Sequence, residues 1–341
     1  MATIRHLAQA GVLCIAVATC ATQASAQSTD FYKGKSVDFY IGFNAGDTYD
    51  IYSRLAAQHL GRFLPGNPTI VPRNMPGAGS LKVANYIYAQ GAKDGTVIGM
   101  TGQAVAFEQM VKNSAVQYDA RQLTWIGRMA PVIQFIAAWH TAPVKSMDDV
   151  MKRETLLAAT SPTGVTGTAP RLLNKLGGAK FKIIHGYQGV TGTMLAAERG
   201  ETEAGTVTAQ TLLFGRPEFL ATPLVHVLVQ YSKGRSHLFP TIPAMGEFGR
   251  TAEEKEILQL YGSTAELGRA IMAPPALPAD RAKALRDAFN SMMKDPQFLA
   301  DAQKSKMELD PLDGAGLQKI VDETINVSPE LSKAVAKAME E

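Results

Sequence analysis

Residues 37–64 read VDFYIG-FNAGDTY-DIYSRLAAQHLGRFL, which divides into three parts of different character. The apolar run at 37–42 predicts a strand, and the small and polar residues at 43–49 predict a loop. Apolar residues at helical spacing predict a helix over residues 50–64, where Pro65-Gly66 ends it. A strand, a loop and a helix in this order are the unit of an α/β fold with parallel strands.

The same unit recurs along the chain. Further strands are predicted at 69–72, 97–101, 156–159, 181–185, 204–208 and 225–230, and the C-terminal part is predicted to be mainly helical. Because two sets of units have similar beginnings, the sequence predicts two similar α/β lobes, with lobe one formed by 27–128 and 240–341 and lobe two by 129–239. Ligands bind at the carboxyl ends of strands in such sheets, so we expect the site there.

The N-terminus has the features of an export signal. A positive start at Arg5 precedes a small, apolar run at 7–21, and Ala24-Ser25-Ala26 supplies a cleavage site after Ala26. This predicts a periplasmic protein with residues 1–26 removed, the alternatives being a membrane anchor or a lipoprotein modified at Cys20. Cys14 and Cys20 both lie in this leader, so the mature chain has no thiol for catalysis or for metal binding.

Composition and motifs favour a binding function over catalysis. The net charge is +3 over 341 residues, without a basic stripe, which argues against a nucleic-acid partner. No Gly-x-Ser-x-Gly elbow is present, and the six histidines are scattered without an i, i+4 pair. We therefore expect no catalytic residues, no metal and no cofactor, and keep an exported enzyme as the alternative from another class.

Six motifs follow one another at 42–50 (GFNAGDTYD), 74–79 (NMPGAG), 93–96 (KDGT), 186–189 (GYQG), 198–201 (ERGE) and 269–278 (RAIMAPPALP). In this order, across about residues 31–317, the chain resembles the Bug family, the periplasmic solute-binding receptors of tripartite tricarboxylate transporters. The resemblance implies a two-lobed, type II-like periplasmic binding protein fold, each lobe a mainly parallel sheet flanked by helices, with a ligand cleft between the lobes.

The resemblance also implies a function. The receptor would close on a small organic acid, a carboxylate, and deliver it to integral-membrane transporter subunits, without inserting into the membrane itself after cleavage. A ligand sensor that feeds a membrane signalling protein is the alternative within the binding class. The Asn-Met-Pro-Gly-Ala-Gly motif argues against a binding protein of an ATP-driven importer.

Two loops are the candidate ligand-binding segments because each leads from a strand into a helix. The first turn of a helix leaves N–H groups unpaired and carries about half a positive charge, and small residues let an anion approach the backbone. The candidate ligand-binding residues are Asn44, Ala45, Gly46, Asp47, Thr48, Tyr49, Gln103, Ser161, Thr163, Gly164, Thr166, Gly167, Thr168 and Gln188. Tyr49 could instead belong to the core, and Gln103 and Gln188 could be solvated helix starts.

Asp47 and Asp50 have different expected roles. Asp50, with Gly77 and Gly79, is expected to be structural, with Asp50 in or before the first helical turn. Asp47 stands where members of the resembled family usually have glycine. Two like charges about 4 Å apart repel by about 4 kcal/mol at an effective dielectric near 20. Asp47 could cap the helix, which we favour, accept from a donor group on the ligand, or select a neutral or cationic ligand.

Overall fold

The computed structural model describes residues 31–162 and 164–340, so the predicted leader and Thr163 lie outside the described residues. Eleven strands are found in the described part of the chain, and they form two sheets. Sheet A has the order β2-β1-β3-β10-β4-β11. Its strands are β1 (Ser36–Ile41), β2 (Thr69–Asn74), β3 (Val97–Met100), β4 (Thr124–Arg128), β10 (Ala270–Ala273) and β11 (Leu312–Asp313).

Sheet B has five strands in the order β7-β6-β8-β5-β9. They are β5 (Gln134–Trp139), β6 (Thr155–Ala158), β7 (Phe181–Ile184), β8 (Ala204–Thr208) and β9 (Val225–Tyr231). Each sheet is mixed, because β10 pairs antiparallel with both β3 and β4, and β5 pairs antiparallel with both β8 and β9. The other pairings are parallel except for the short β11.

Helices cover both faces of each sheet. They are α1 (Thr48–Leu60), α2 (Leu81–Gln90), α3 (Val105–Met110), α4 (Met147–Lys152), α5 (Val165–Gly177), α6 (Gly189–Glu198), α7 (Glu218–Ala221), α8 (Ala252–Gly262), α9 (Thr264–Leu267), α10 (Ala279–Met292), α11 (Pro296–Lys304), α12 (Gly314–Ile325) and α13 (Pro329–Met339). In the described residues, no helix is long and apolar enough to cross a membrane.

The alternation in β1 shows why the sheets form where they do. Val37, Phe39 and Ile41 are buried, while the residues between them are partly exposed; Val37 and Phe39 pack with residues of α1 and α10. The four residues of β3 are all buried, as expected for a central strand covered on both faces. Burial of this kind stabilises the fold by roughly 25 cal/mol per Å² of apolar surface.

The C-terminal part of the chain packs on both sheets. We predicted that residues 240–341 complete lobe one, and β10, β11, α10 and α12 do lie with sheet A. Helices α8 and α13, however, pack in the core of sheet B, where Leu258 and Val335 join Leu172 of α5. The Lys175 ammonium also donates to the carbonyl oxygen of Lys337 at 2.9 Å. The chain therefore returns to sheet B after β11.

Candidate functional site

The topology brings a specific set of loops to the facing edges of the two sheets. Strands β1, β2, β3 and β4 run in one direction, so their carboxyl ends, and the start of antiparallel β10, share one edge of sheet A. In the same way, the ends of β6, β7 and β8 and the start of β5 share one edge of sheet B. These edges carry the loops that the sequence indicated as ligand-binding.

Asp50 holds the loop that follows β1. Its carboxylate is buried in the first turn of α1 and accepts from the Gly46 N–H at 2.9 Å, the Arg54 Nε–H at 2.8 Å and the Asn74 amide at 2.7 Å. Burial alone would raise the pKa of Asp50, but the hydrogen bonds from Arg54, Gly46 and Asn74 outweigh it and hold the pKa below its usual value. The Asn74 amide also donates to the Phe43 carbonyl at 3.0 Å, so Asp50 holds the middle of the loop directly and its start through Asn74.

Asp47 does not cap α1 through its side chain, although its backbone stands at the N-cap position. Its carboxylate instead accepts from the Asn44 N–H at 3.1 Å. Burial raises the pKa of Asp47, the Asn44 hydrogen bond opposes this, and the nearby Asp50 charge adds to the increase. The capping role that we favoured from the sequence is therefore not what the structure shows, because the side chain turns back to the loop.

Asp47 also faces the second sheet. A methyl group placed on Gly189, the first residue of α6, would lie 4.0 Å from Asp47 Oδ1. Gln188 precedes it at the N-cap of α6, is exposed and makes no capping hydrogen bond. The loop after β1 in sheet A therefore meets the loop after β7 in sheet B. The sequence predicted Gln188 of this second loop as a ligand-binding residue, but it did not predict that the loop would lie close to Asp47.

Tyr49 lies between the loop and the core. Its ring stacks on Phe43 with the centroids 4.1 Å apart, and it packs partly buried against the core of sheet A. Burial raises the pKa of Tyr49 to about 12, while the Arg269 charge and the Gln103 N–H oppose the increase. Gln103 is buried at 4% exposure, and its amide nitrogen lies 3.4 Å from the Thr264 hydroxyl. Both residues thus line the inner end of the loop, and neither is a solvated helix start.

The predicted structural glycines lie in a backbone stretch of positive φ. Gly77, Ala78, Gly79 and Ser80 have φ values of 144°, 47°, 60° and 77°. Such angles favour glycine, and a non-glycine residue in a rare backbone region costs on the order of 1–3 kcal/mol. Ser80 is buried and accepts from the Gly102 N–H at 2.6 Å, so this strained turn holds the chain that leads to Gln103.

The loop after β6 begins α5 without a side-chain cap on its N-cap residue, Gly164. Ser161 Oγ accepts from the Gly164 N–H at 3.0 Å, and Thr166 Oγ1 accepts from the Thr160 N–H at 2.9 Å. The hydroxyl of Thr168 points back to the Pro162 carbonyl at 3.4 Å. These hydroxyls shape the loop.

Glycine is required inside this loop. A Cβ on Gly167 would lie 2.2 Å from the Ser161 carbonyl oxygen and 3.1 Å from His185 Cε1. His185 belongs to the loop after β7, whose Tyr187 N–H donates to Ala159 at 3.3 Å. The start of α5 therefore packs directly against the loop that Asp47 meets, and the predicted segments of both sheets belong to one region.

Sequence reasoning missed three polar residues at the same sheet edges. Arg269 precedes β10 and is 2% exposed, while Gln134 begins β5 and is largely buried. Gln210 follows β8, and its amide oxygen lies 3.5 Å from Arg269 Nη2. A lone cation in the otherwise apolar stretch 267–273 was the available signal for Arg269.

Comparison with known families decides the class of the protein. The sequence profile of the tripartite tricarboxylate transporter family receptor matches residues 53–336. The chain belongs to this receptor family. Its receptors are periplasmic solute-binding proteins rather than enzymes, so the resemblance seen in the sequence is confirmed. A comparison with curated protein sequences gives no match.

Solved structures of receptors share the fold. The periplasmic binding protein BugD has a TM-score of 0.64 and 19% identity over 90% of this chain and 98% of its own. An adipate-bound protein of R. palustris has a TM-score of 0.65 and 17% identity over 90% and 97%. MatC from Rhodopseudomonas palustris with bound malate has a TM-score of 0.62 and 17% identity over 90% and 99%. The receptor therefore has the two-lobed α/β fold that the sequence predicted.

Proposed function

We propose that the receptor captures a small organic acid in a cleft between its two sheets and delivers it to the membrane subunits of a tripartite transporter. The observation that carries this proposal is the start of α5, which follows a hydroxyl-rich loop and has at its N-cap a glycine, Gly164, without a side chain that could cap the first N–H groups. A helix start of this kind stabilises an anion by about 0.3–1 kcal/mol when exposed and by more when sheltered.

The family and two of its structural neighbours support a carboxylate as the anion. The adipate-bound and malate-bound structures hold dicarboxylic acids, although at 17% identity they share only the fold with this receptor. Small residues of the loop after β6 would let a carboxylate approach the backbone closely. Thr163, which lies outside the described residues, belongs to the same loop and remains a predicted contact.

Asp47 restricts which end of the ligand reaches the loop after β1. Two of this loop's N–H donors, those of Asn44 and Gly46, already serve Asp47 and Asp50. No cation lies within 4.0 Å of Asp47 among the described residues. In the proposed complex the carboxylate therefore sits at α5, and Asp47 accepts from a hydroxyl or ammonium group of the ligand.

The proposal also includes the export of the receptor, its docking on the transporter and the limits of its two lobes. The leader would be cleaved after Ala26, and the mature receptor would dock on the transporter without entering the membrane. The sheets support lobes that begin and end near the predicted limits 128/129 and 239/240, with α8 and α13 added to the lobe of sheet B. Lobe rotation would then bring the loops of both sheets onto one ligand, which shifts the open–closed equilibrium by differential affinity.

A thermal-shift screen tests the ligand class directly. Mono-, di- and tricarboxylates, hydroxy acids, aromatic acids and amino acids would be added to the mature receptor at pH 7.5. A ligand at 100 times its Kd raises the unfolding free energy by about 2.7 kcal/mol, which is readily measured. We expect stabilisation by organic acids and none by their neutral amides, and a set of acids without any effect would refute the proposal.

Small-angle scattering tests the closing motion. With the best acid of the screen, the radius of gyration should fall, because the ligand contacts both sheets only in the closed form. The variant Gly167→Ala, for which we expect weaker binding, provides the matched control and should show a smaller fall at a ligand concentration that just saturates the native receptor. A radius that stays constant at saturating ligand would rule out closure.

A further inference from the structure

Arg269 stands out among the polar groups at the facing sheet edges because it is a buried cation without a carboxylate partner. It is 2% exposed, and none of the ion pairs within 4.0 Å in the described chain involves it. Its Nη1 donates to the Pro131 carbonyl at 2.9 Å, Nη2 has a long contact of 3.5 Å with Gln210, and Nε has no partner. A buried charge in this state is costly unless an anion compensates it.

The surroundings of Arg269 supply aromatic faces rather than an anion. The guanidinium lies 4.1 Å from the ring centroid of Tyr52 and 5.8 Å from that of Tyr49. Glu308 is the neighbouring acid. Burial raises its pKa, and the Arg269 charge opposes the increase without forming an ion pair within 4.0 Å. Stacking on aromatic rings offsets part of the cost of burying the cation, but it leaves the Nε–H donor unused.

Arg128 provides an internal comparison because it is a second buried arginine at the same edge of sheet A. Residue 128 is the register partner of Ala270, and the side chain is 5% exposed. Its guanidinium donates to the carbonyl oxygens of Glu266 and Asp310, and it also pairs with both of their carboxylates. Groups of the protein therefore supply hydrogen-bond acceptors and counter-charges to Arg128, whereas among the described residues the Nε–H of Arg269 has no acceptor and its charge has no ion-pair partner.

Other unpaired polar atoms accompany Arg269 at these edges. Gln103 Oε1 and Gln134 Oε1 are both buried without a hydrogen-bond partner in the described chain. Tyr49 lies between Arg269 and Gln103. The Arg269 guanidinium is 5.8 Å from the centroid of its ring, and the Gln103 N–H opposes the rise in the pKa of its hydroxyl. Arg269 and Gln103 thus flank the inner end of the loop after β1, while Gln210 reaches the same place from sheet B.

We propose that Arg269 is the counter-charge for a second carboxylate of the ligand, at the floor of the cleft, so that the receptor takes dicarboxylic acids. This rests on the proposed function and deepens it. The first carboxylate binds at the start of α5, and the second accepts from Arg269 Nε–H in a charge-assisted hydrogen bond. When the two lobes open, the ligand reaches the guanidinium, and when they close, the guanidinium is buried again.

The test compares diacids with their monomethyl esters. Succinate, glutarate and adipate and the three monoesters are titrated calorimetrically into native receptor, Arg269→Met and Arg128→Met at pH 7.5. Native receptor should bind its preferred diacid roughly 10- to 100-fold more tightly than the monoester, as expected for a hydrogen bond between charged groups. In Arg269→Met this ratio should fall to nearly one.

Arg128→Met is the matched control because it removes the same charge from the same sheet edge. Its ratio should stay at the native value, so a fall in both variants would indicate long-range electrostatics and overturn the proposal. If Arg269→Met does not fold, Arg269→Lys decides, since it keeps the charge but lacks the Nε–H. We expect at least a threefold lower ratio, and an unchanged ratio overturns the proposal.

The two proposals fail in different ways. Native receptor that binds monoesters as tightly as diacids would overturn the role of Arg269 and leave the organic-acid receptor intact. Native receptor that binds neither the diacids nor the monoesters, nor any acid of the wider screen, would overturn both proposals.

Discussion

Replacing Asp50 with asparagine removes the charge from the carboxylate that holds the loop after β1. Asp50 is 2% exposed and accepts three hydrogen bonds, from Gly46, Arg54 and Asn74. The asparagine side chain keeps one acceptor oxygen, but its amino group must face a donor. We expect the variant to lose about 2 kcal/mol of unfolding free energy, the cost typical of leaving buried hydrogen-bonding groups unpaired.

The ion pair with Arg54 adds little to this loss because Arg54 is nearly half exposed, and ion pairs open to solvent contribute only about 0–1 kcal/mol. At roughly 2–4 °C per kcal/mol for domains of 150–250 residues, the unfolding midpoint should fall by about 4–8 °C. Circular dichroism at pH 7 measures this shift on the mature receptor. The same variant should weaken binding of the preferred acid, because the loop loses its anchor.

The contribution of Asp50 to the unfolding free energy should fall as the pH is lowered. Because the pKa of Asp50 is lowered in the folded receptor, its stabilisation is complete above the unfolded pKa of about 3.9 and is lost as the pH falls through the folded value. The difference between native receptor and Asp50→Asn should therefore be largest near pH 7 and shrink below about pH 4.

Asp47→Asn is the control, three residues away in the same loop. Burial raises the pKa of Asp47, so its charge does not stabilise the folded state at neutral pH. We expect its midpoint to change by less than about 2 °C, within the range of ordinary surface substitutions. An Asp50→Asn midpoint equal to that of native receptor, or a larger loss in Asp47→Asn, would refute the role assigned to Asp50.

Three further substitutions test the loops. Asp47→Gly should tighten binding of simple diacids by up to ~30-fold, because a like charge about 8 Å away costs about 2 kcal/mol at an effective dielectric near 20. The same variant should weaken binding of hydroxy or amino acids. Calorimetry that finds weaker binding of both classes would contradict this. Gly167→Ala should reduce affinity at least tenfold, because its Cβ would lie 2.2 Å from a carbonyl oxygen of the loop, whereas Gly192→Ala, with 3.9 Å of space, should not. Ser80→Gly should unfold at a higher temperature than Ser80→Ala, because both lose the hydrogen bond from Gly102 but only glycine accepts a φ of 77° without strain; equal midpoints would contradict this.

The sequence predicted those elements of the fold that have a strong local pattern. The strand expected at 37–42 lies at Ser36–Ile41, and the strand expected at 204–208 is found at Ala204–Thr208. Short runs rich in β-branched and aromatic residues, bounded by turn residues, favour such strands locally. By contrast, β4, β5, β10 and β11 were missed: Gln134 interrupts the apolar pattern of β5, and β10 and β11 have only four and two residues between loops. Their antiparallel pairing depends on contacts with strands distant in the sequence.

The candidate site was predicted at the level of loops rather than of single interactions. The paired glycine and aspartate pattern pointed to the loop after β1, but not to the hydrogen bond that turns Asp47 back to Asn44. The same pattern gave no indication that Asp47 would face Gly189, which is distant in the sequence. The sequence predicted no role for Arg269, because its lack of a carboxylate partner follows only from three-dimensional packing.

The return of the chain to sheet B through α13 has a practical consequence for spectroscopy. The two described ends of the polypeptide lie on different bodies, since Tyr32 packs in the core of sheet A and Ala338 in that of sheet B. Cys14 and Cys20 precede residue 27, so in a receptor expressed from residue 27 onward two thiols introduced near these ends would be the only ones and would accept dyes or spin labels selectively. The distance between such probes would follow each opening and shutting event directly, without a label near the ligand.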